Sequence, residues 1–118
     1  MNYFTEAELK CQHCGKYEFD AGFLAILNRI RADCGFPLVV TSGYRCVDHP
    51  IEAAKPYTGS HTTGKAVDLA VSHKQAHKLL HVALMCGITG IGVNQTGNSR
   101  FIHLDMSDVA PRPTVWSY

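Results

Sequence analysis

The chain has 118 residues, 46% hydrophobic and 18% charged, with a formal net charge of +1. That length makes one domain of residues 1–118 with no room for a second, and the apolar content suffices for a core, which excludes a disordered chain. No apolar run approaches the roughly 18 residues of a membrane span, and a near-neutral balance without a basic cluster excludes nucleic-acid binding by phosphate neutralisation.

The opening Met1-Asn2-Tyr3-Phe4-Thr5-Glu6 has neither the basic nor the apolar region of a secretion signal, which predicts synthesis in the cytoplasm. From Asp20 to Cys34, Phe23, Leu27, Ile30 and Cys34 recur at helical spacing behind a capping aspartate, and Gly35 and Pro37 end the helix. Leu38-Val39-Val40-Thr41 reads as a short strand, ended by Ser42-Gly43. Residues 43–64 lack periodicity and read as a long loop, of a length that is usually functional or disordered. Ala66–Val71 alternates, with Val67, Leu69 and Val71 on one face and Ala66, Asp68 and Ala70 on the other. Ser72 and Gln75 predict a capping box for a second helix, with Ala76, Leu79, Leu80 and Ala83 as its buried face and Gly87 at its end. A glycine-broken strand follows near Ile88–Asn94, then a polar turn, Thr96–Ser99, and a strand over Arg100–Met106. The predicted plan is α+β: a small, largely antiparallel sheet packed against two main helices.

The last strand carries the first chemical signal. Ile102, Leu104 and Met106 share one face; Phe101, His103 and Asp105 share the other, with neighbours on a face about 7 Å apart. Asp68 occupies a similar position on its strand between small alanines, and His61 lies seven residues upstream across the turn Thr62-Thr63-Gly64. His61, Asp68 and His103 form a two-histidine, one-carboxylate set of the kind that holds a catalytic zinc and keeps a position for water. Spacing alone leaves open a second reading, in which His61 is a surface loop residue and Asp68 a strand-end cap.

Three ordered segments resemble one family. Gly59-Ser60-His61-Thr62-Thr63-Gly64-Lys65-Ala66-Val67-Asp68 is similar to the His-x-x-Gly-x-Ala-x-Asp zinc motif of the D-alanyl-D-alanine carboxypeptidase group of metallopeptidases, peptidase family M15. Thr41-Ser42-Gly43-Tyr44-Arg45-Cys46 resembles the segment that precedes that motif, and Phe101-Ile102-His103-Leu104-Asp105 the closing strand. The opening Tyr3–Cys11 and the terminal Trp116-Ser117-Tyr118 resemble the small, often phage-encoded branch. The resemblance implies a hedgehog/DD-peptidase-like fold, one Zn²⁺ on His61, Asp68 and His103, and Arg45 as the substrate-binding group. A guanidinium matches a carboxylate bidentately, and the stem peptides of bacterial peptidoglycan supply such carboxylates. Ser42 and Tyr44 then shape the pocket or simply make the turn. Many relatives carry an acid or histidine two or three positions before the final zinc histidine; here Phe101 and Arg100 stand there. Asp105 is therefore the first candidate for general base, or it orients His103 by accepting its other ring N–H.

The implied function is a zinc-dependent peptidase cleaving an amide in peptidoglycan peptides, as a terminal D-alanine carboxypeptidase or a stem or cross-link endopeptidase. It is expected to act as a monomer in phage lysis or wall remodelling, after release by a holin or with a virion. The alternatives are a zinc-binding recognition module without turnover and a small metal-dependent nuclease, against which the neutral charge argues. An odd count of five cysteines, without a secretion signal, predicts reduced thiols. Cys11-Gln12-His13-Cys14 has the spacing of half a zinc ribbon, which Cys46 and His49 complete only if the loop folds back; a local turn with packed thiols is the plainer reading. His73, His77 and His81 read as the solvated flank of the second helix, and Cys34 and Cys86 as small core residues. Trp116 and Tyr118 pack the tail down or touch substrate.

Overall fold

Apolar spacing and capping chemistry place the two long helices. The computed structural model describes residues 2–56 and 59–118, and in it the first element is a short helix, α1 (Glu6–Leu9). Thr5 and Glu8 close a reciprocal capping box around it. That Thr-x-x-Glu signal stands in the sequence, but only one turn of helix follows it, too short to give an apolar period. In α2 (Ala21–Cys34), Asp20 Oδ2 accepts from the Phe23 N–H at 2.8 Å, and Phe23, Leu27, Ile30 and Cys34 are the buried residues, as the spacing predicts.

Strand β1 (Val39–Ser42) follows. Next comes the segment expected as a long loop, residues 43–64, which contains a one-turn helix, α3 (Pro50–Ala53), and a 3₁₀ turn over Ser60–Thr63. Residues 57–58 of that loop, like Met1 of the opening segment, lie outside the described residues. Strand β2 (Ala66–Ala70) leads into α4 (His73–Met85), where Ala76, Leu79, Val82 and Ala83 are buried and Leu80 is half-buried. The expected capping box at Ser72 does not form: Ser72 occupies the N-cap position but its side chain makes no capping bond. His73 adopts φ +52° at the first helical position, so the chain enters α4 through a left-handed step. Three strands complete the chain: β3 (Gly90–Asn94), β4 (Phe101–Asp105) and β5 (Thr114–Ser117).

The five strands form one sheet in the order β1-β2-β4-β3-β5. Every pairing is antiparallel except β3 with β5, which is parallel. The tail thus supplies an edge strand that sequence periodicity did not reveal. Alternation divides the sheet into two chemically different faces. Val67, Leu69, Ile91, Ile102 and Leu104 join α2 and α4 in the core, while Asp68, His103 and Asp105 point to the opposite face. His73, His77 and His81 are exposed on α4, and Cys34 and Cys86 lie in or against the core. No helix among the described residues is long and apolar enough to cross a membrane.

Candidate metal centre

Strand register brings together residues far apart in sequence. Asp68 stands directly opposite His103 across the β2–β4 ladder, and Ser42 of β1 pairs with Asp68 on its other side. His61 arrives from the 3₁₀ turn, which reverses into β2 through Gly64 at φ +75°. A Cβ at Gly64 would fall on the Glu18 carbonyl, so the turn needs glycine for both its backbone conformation and its close approach to the chain.

The two imidazoles are fixed from behind. His61 Nδ1 lies 2.8 Å from the Gly43 carbonyl oxygen. A carbonyl can only accept, so Nδ1 carries a proton, and this bond turns Nε2 toward Asp68 Oδ1 at 3.3 Å. His103 Nδ1 is 2.9 Å from the same oxygen, and its Nε2 is 2.6 Å from Asp105 Oδ2. One donor atom from each of His61, Asp68 and His103 thus lies within 4.8 Å of the other two, and all three residues are buried. Two nitrogens and one carboxylate oxygen make a set suited to zinc. The far ring nitrogens are engaged by a carbonyl and a carboxylate, the outer contacts that orient metal-binding histidines. The residues present fit a zinc ion.

Electrostatics agree with this arrangement. Burial raises the Asp68 carboxyl, but His103 and His61 outweigh it and hold the group well below the usual carboxylate range. Burial lowers His103, yet Asp105 and Asp68, one facing each ring nitrogen, raise it above its ordinary value. Asp105 itself is desolvated, and His103 and Arg112 reverse that effect and hold it at about 2.

Asp105 is fully buried, and both of its oxygens are engaged. Arg112 Nε and one of its terminal nitrogens each bond it at 2.8 Å, and the Ser107 N–H donates to it at 3.3 Å. Room for this clamp comes from Gly90, which pairs with Asp105: a Cβ there would fall on the carboxylate. Gly92, opposite His103, leaves space for Trp116, whose ring centroid lies 5.2 Å from that of His103. The two glycines that interrupt β3 therefore mark close approach, a known meaning of glycine within a strand.

The site forms the floor of a cleft of about 510 Å³, whose walls include Arg45, Lys55, Ser60, Phe101, Trp116 and Tyr118. Among the described residues that line it, Asp68 is the only carboxylate. Arg45 projects from the loop after β1, its side chain 12% exposed. Its Nε donates to Ser42 Oγ at 3.0 Å, one terminal nitrogen to Glu52 at 3.2 Å, and the other lies 3.6 Å from Asp68 Oδ2. Ser42 therefore orients the arginine and is not itself a wall of the cleft. Tyr44 is not a wall either: its ring is buried, and desolvation together with Glu18 pushes its hydroxyl up to about 12. Asp105, expected as general base or as the group that orients His103, faces His103 Nε2 and does not line the cleft.

Sequence reasoning missed Glu52, Arg112 and the engaged Gly43 carbonyl. Glu52 is buried beneath Arg45 and accepts from Lys55, the Gly59 N–H and Thr62 as well. A glutamate in an aperiodic loop and an arginine between two prolines carry no local signal of these roles. The glycine pair in β3 did carry one.

The family model described as Peptidase M15 matches residues 2–105. No curated protein matches the chain. A match over most of the chain, with a buried histidine, aspartate and histidine converging at the base of a cleft, leads to one assignment: the chain belongs to peptidase family M15, a family of zinc peptidases.

Proposed function

We propose that the chain is a zinc-dependent peptidase of bacterial peptidoglycan, hydrolysing an amide beside a D-configured residue in stem peptides or cross-links. The observation that carries this reading is the convergence of His61 Nε2, Asp68 Oδ1 and His103 Nδ1 beneath a cleft that also presents a guanidinium. Zinc held by these three residues would supply a water of lowered pKa and a Lewis-acid contact for the scissile carbonyl.

The chain's own residues would do the rest. Arg45, steadied by Ser42 and Glu52, has N–H donors left over for a peptide carboxylate and would set the register of the substrate in the cleft. Asp105, gripped by Arg112, would keep the His103 proton on Nε2 and so leave Nδ1 free to ligate. Burial raises the Tyr118 hydroxyl, so at neutral pH it enters the cleft as a hydrogen-bond donor. Phe101 and Trp116 offer apolar walls to the peptide. The resemblance to the small, often phage-encoded branch supports action as a monomer in phage lysis or wall remodelling.

A second reading has one observation in its favour. With Asp68 as the only carboxylate lining the cleft among the described residues, and Phe101 where relatives carry an acid or histidine, the site also suits a zinc-binding peptidoglycan-recognition module. Incubation of the chain with purified peptidoglycan, with and without zinc, followed by mass spectrometry of released peptides, separates the two. Zinc-dependent release of peptides ending at a D-residue is the expected result. Sedimentation with the wall material without any release would favour the recognition module.

A further inference from the structure

Three of the five cysteines meet at a second place in the fold. Cys11, Cys14 and Cys46 lie with their sulfurs within 4.8 Å of one another, and none is in a disulfide. Cys11-Gln12-His13-Cys14-Gly15 folds as a tight turn: the Gly15 N–H donates to the Cys11 carbonyl at 2.9 Å, and the Cys11 N–H to the Lys16 carbonyl at 2.8 Å. The loop after β1 folds back onto this turn. The Tyr44 N–H donates to the Leu9 carbonyl at 2.8 Å, and the Cys46 N–H points at Cys11 Sγ from 3.3 Å. Backbone N–H groups of Cys14 and His13 are directed at the same sulfur. A sulfur facing several amide donors is in the environment that favours a thiolate.

Two imidazoles belong to the same two turns, His13 and His49, with ring centroids 6.1 Å apart; neither ring nitrogen lies within 4.8 Å of all three sulfurs, so one ring would swing in to bind. His49 follows Cys46 by three residues, so a Cys-x-x-Cys turn faces a Cys-x-x-His turn. That is the spacing of closed, four-ligand structural zinc sites, in which two short chain segments are tied by one ion.

We propose that Cys11, Cys14 and Cys46 bind a second, structural Zn²⁺, with an imidazole of the His13–His49 pair as the fourth ligand. Such an ion would tie the first turn of the chain to the loop that builds the peptidase site. Within that loop the Gly43 carbonyl holds His61 Nδ1, and the Arg45 N–H donates to the His61 carbonyl at 3.2 Å. Cys46 is the residue after Arg45, so the clamp would fix both the first metal ligand and the guanidinium. Because a structural zinc site forms only in the folded chain, its binding free energy adds to the stability of the fold.

Cobalt(II) titration of the reduced, metal-free chain tests this directly. Thiolate ligands give cobalt an intense sulfur-to-metal charge-transfer band in the near ultraviolet, which the nitrogen and oxygen donors of His61, Asp68 and His103 cannot give. The expected result is two equivalents bound, with the band present. His61→Ala should lose one equivalent and keep the band. Cys14→Ser, at an exposed position, should lose the band and retain the other equivalent. Cys86→Ser should behave as the unaltered chain. Saturation at one equivalent without the band would overturn the proposal and leave the peptidase reading standing. A peptide map of the chain isolated without reductant that places a disulfide between two of Cys11, Cys14 and Cys46 would also overturn it. The unaltered chain's spectrum decides the question even if a variant fails to fold.

Discussion

His103 is gripped at both ring nitrogens, by Asp68 at Nδ1 and by Asp105 at Nε2, and Asp105 is in turn gripped by Arg112. An acid with both oxygens engaged and no exposure to the cleft can act on the reaction only through the imidazole it holds. Asp105→Asn should therefore weaken zinc affinity by about 10–100-fold, with activity recovered at saturating zinc. Unchanged affinity with a lost kcat would instead make Asp105 the base. For Arg45, replacement by lysine removes the planar fork while keeping the charge. We expect a higher KM for carboxylate-bearing peptides with little change in kcat, read from steady-state kinetics on a defined stem peptide; unchanged KM would remove Arg45 from substrate binding. The three candidate metal ligands were legible in the sequence: strand alternation points to Asp68 and His103, and an ordered motif to all three. Arg112 and Glu52 were not, because each finds its partner through a fold-level contact that no local pattern encodes. Tyr44 lies next to Arg45 in the chain, yet its ring is buried, a direction that adjacency alone cannot supply.

At the scale of elements, the loop between β1 and β2 is organised around one buried carboxylate. Glu52 collects Arg45, Lys55, the Gly59 N–H and Thr62, and so draws α3 and the 3₁₀ turn together. Burial raises its carboxyl, but Lys55, the Gly59 N–H and Arg45 outweigh that and leave it below its ordinary value of 4.5. A depressed carboxylate stabilises the fold fully above its unfolded value, and the contribution fades as pH falls through its folded value. Glu52→Gln should cost about 2 kcal/mol at neutral pH, a loss typical of hydrogen bonds to charged groups. In denaturant titrations across pH, the gap between the two chains should narrow below pH 4.5; a gap independent of pH would contradict this account. In β3, a Cβ at Gly92 would meet Trp116 Nε1 at 2.6 Å. Gly92→Ala should destabilise by about 1–3 kcal/mol in chemical unfolding, as overpacking does, and should disturb the Trp116 fluorescence. A variant as stable as the parent would mean that β5 yields freely. The strand glycines announced this close approach in the sequence, whereas the helical turn at Pro50–Ala53 is too short to produce a periodic signal.

Across the whole molecule, one sheet separates two environments. Its helix-covered face holds the apolar core, and its other face carries Asp68, His103 and Asp105 in register. The α+β plan was legible because both long helices and the central strands announce themselves by period, and each period is a local property. The strand order, the parallel edge formed by Thr114–Ser117 and the folding of the Cys46 loop onto the Cys11 turn were not, since they depend on pairings between distant segments. The same two-faced sheet positions the candidate metal centre: its aspartate and second histidine lie on adjacent paired strands, and only His61 is carried by a turn. The most direct test is an anomalous-difference map at the zinc edge from crystals grown with the metal. A peak about 2 Å from His61 Nε2, Asp68 Oδ1 and His103 Nδ1 together is the predicted result. A map with no peak bonded to those three atoms, in crystals containing zinc elsewhere, would contradict it.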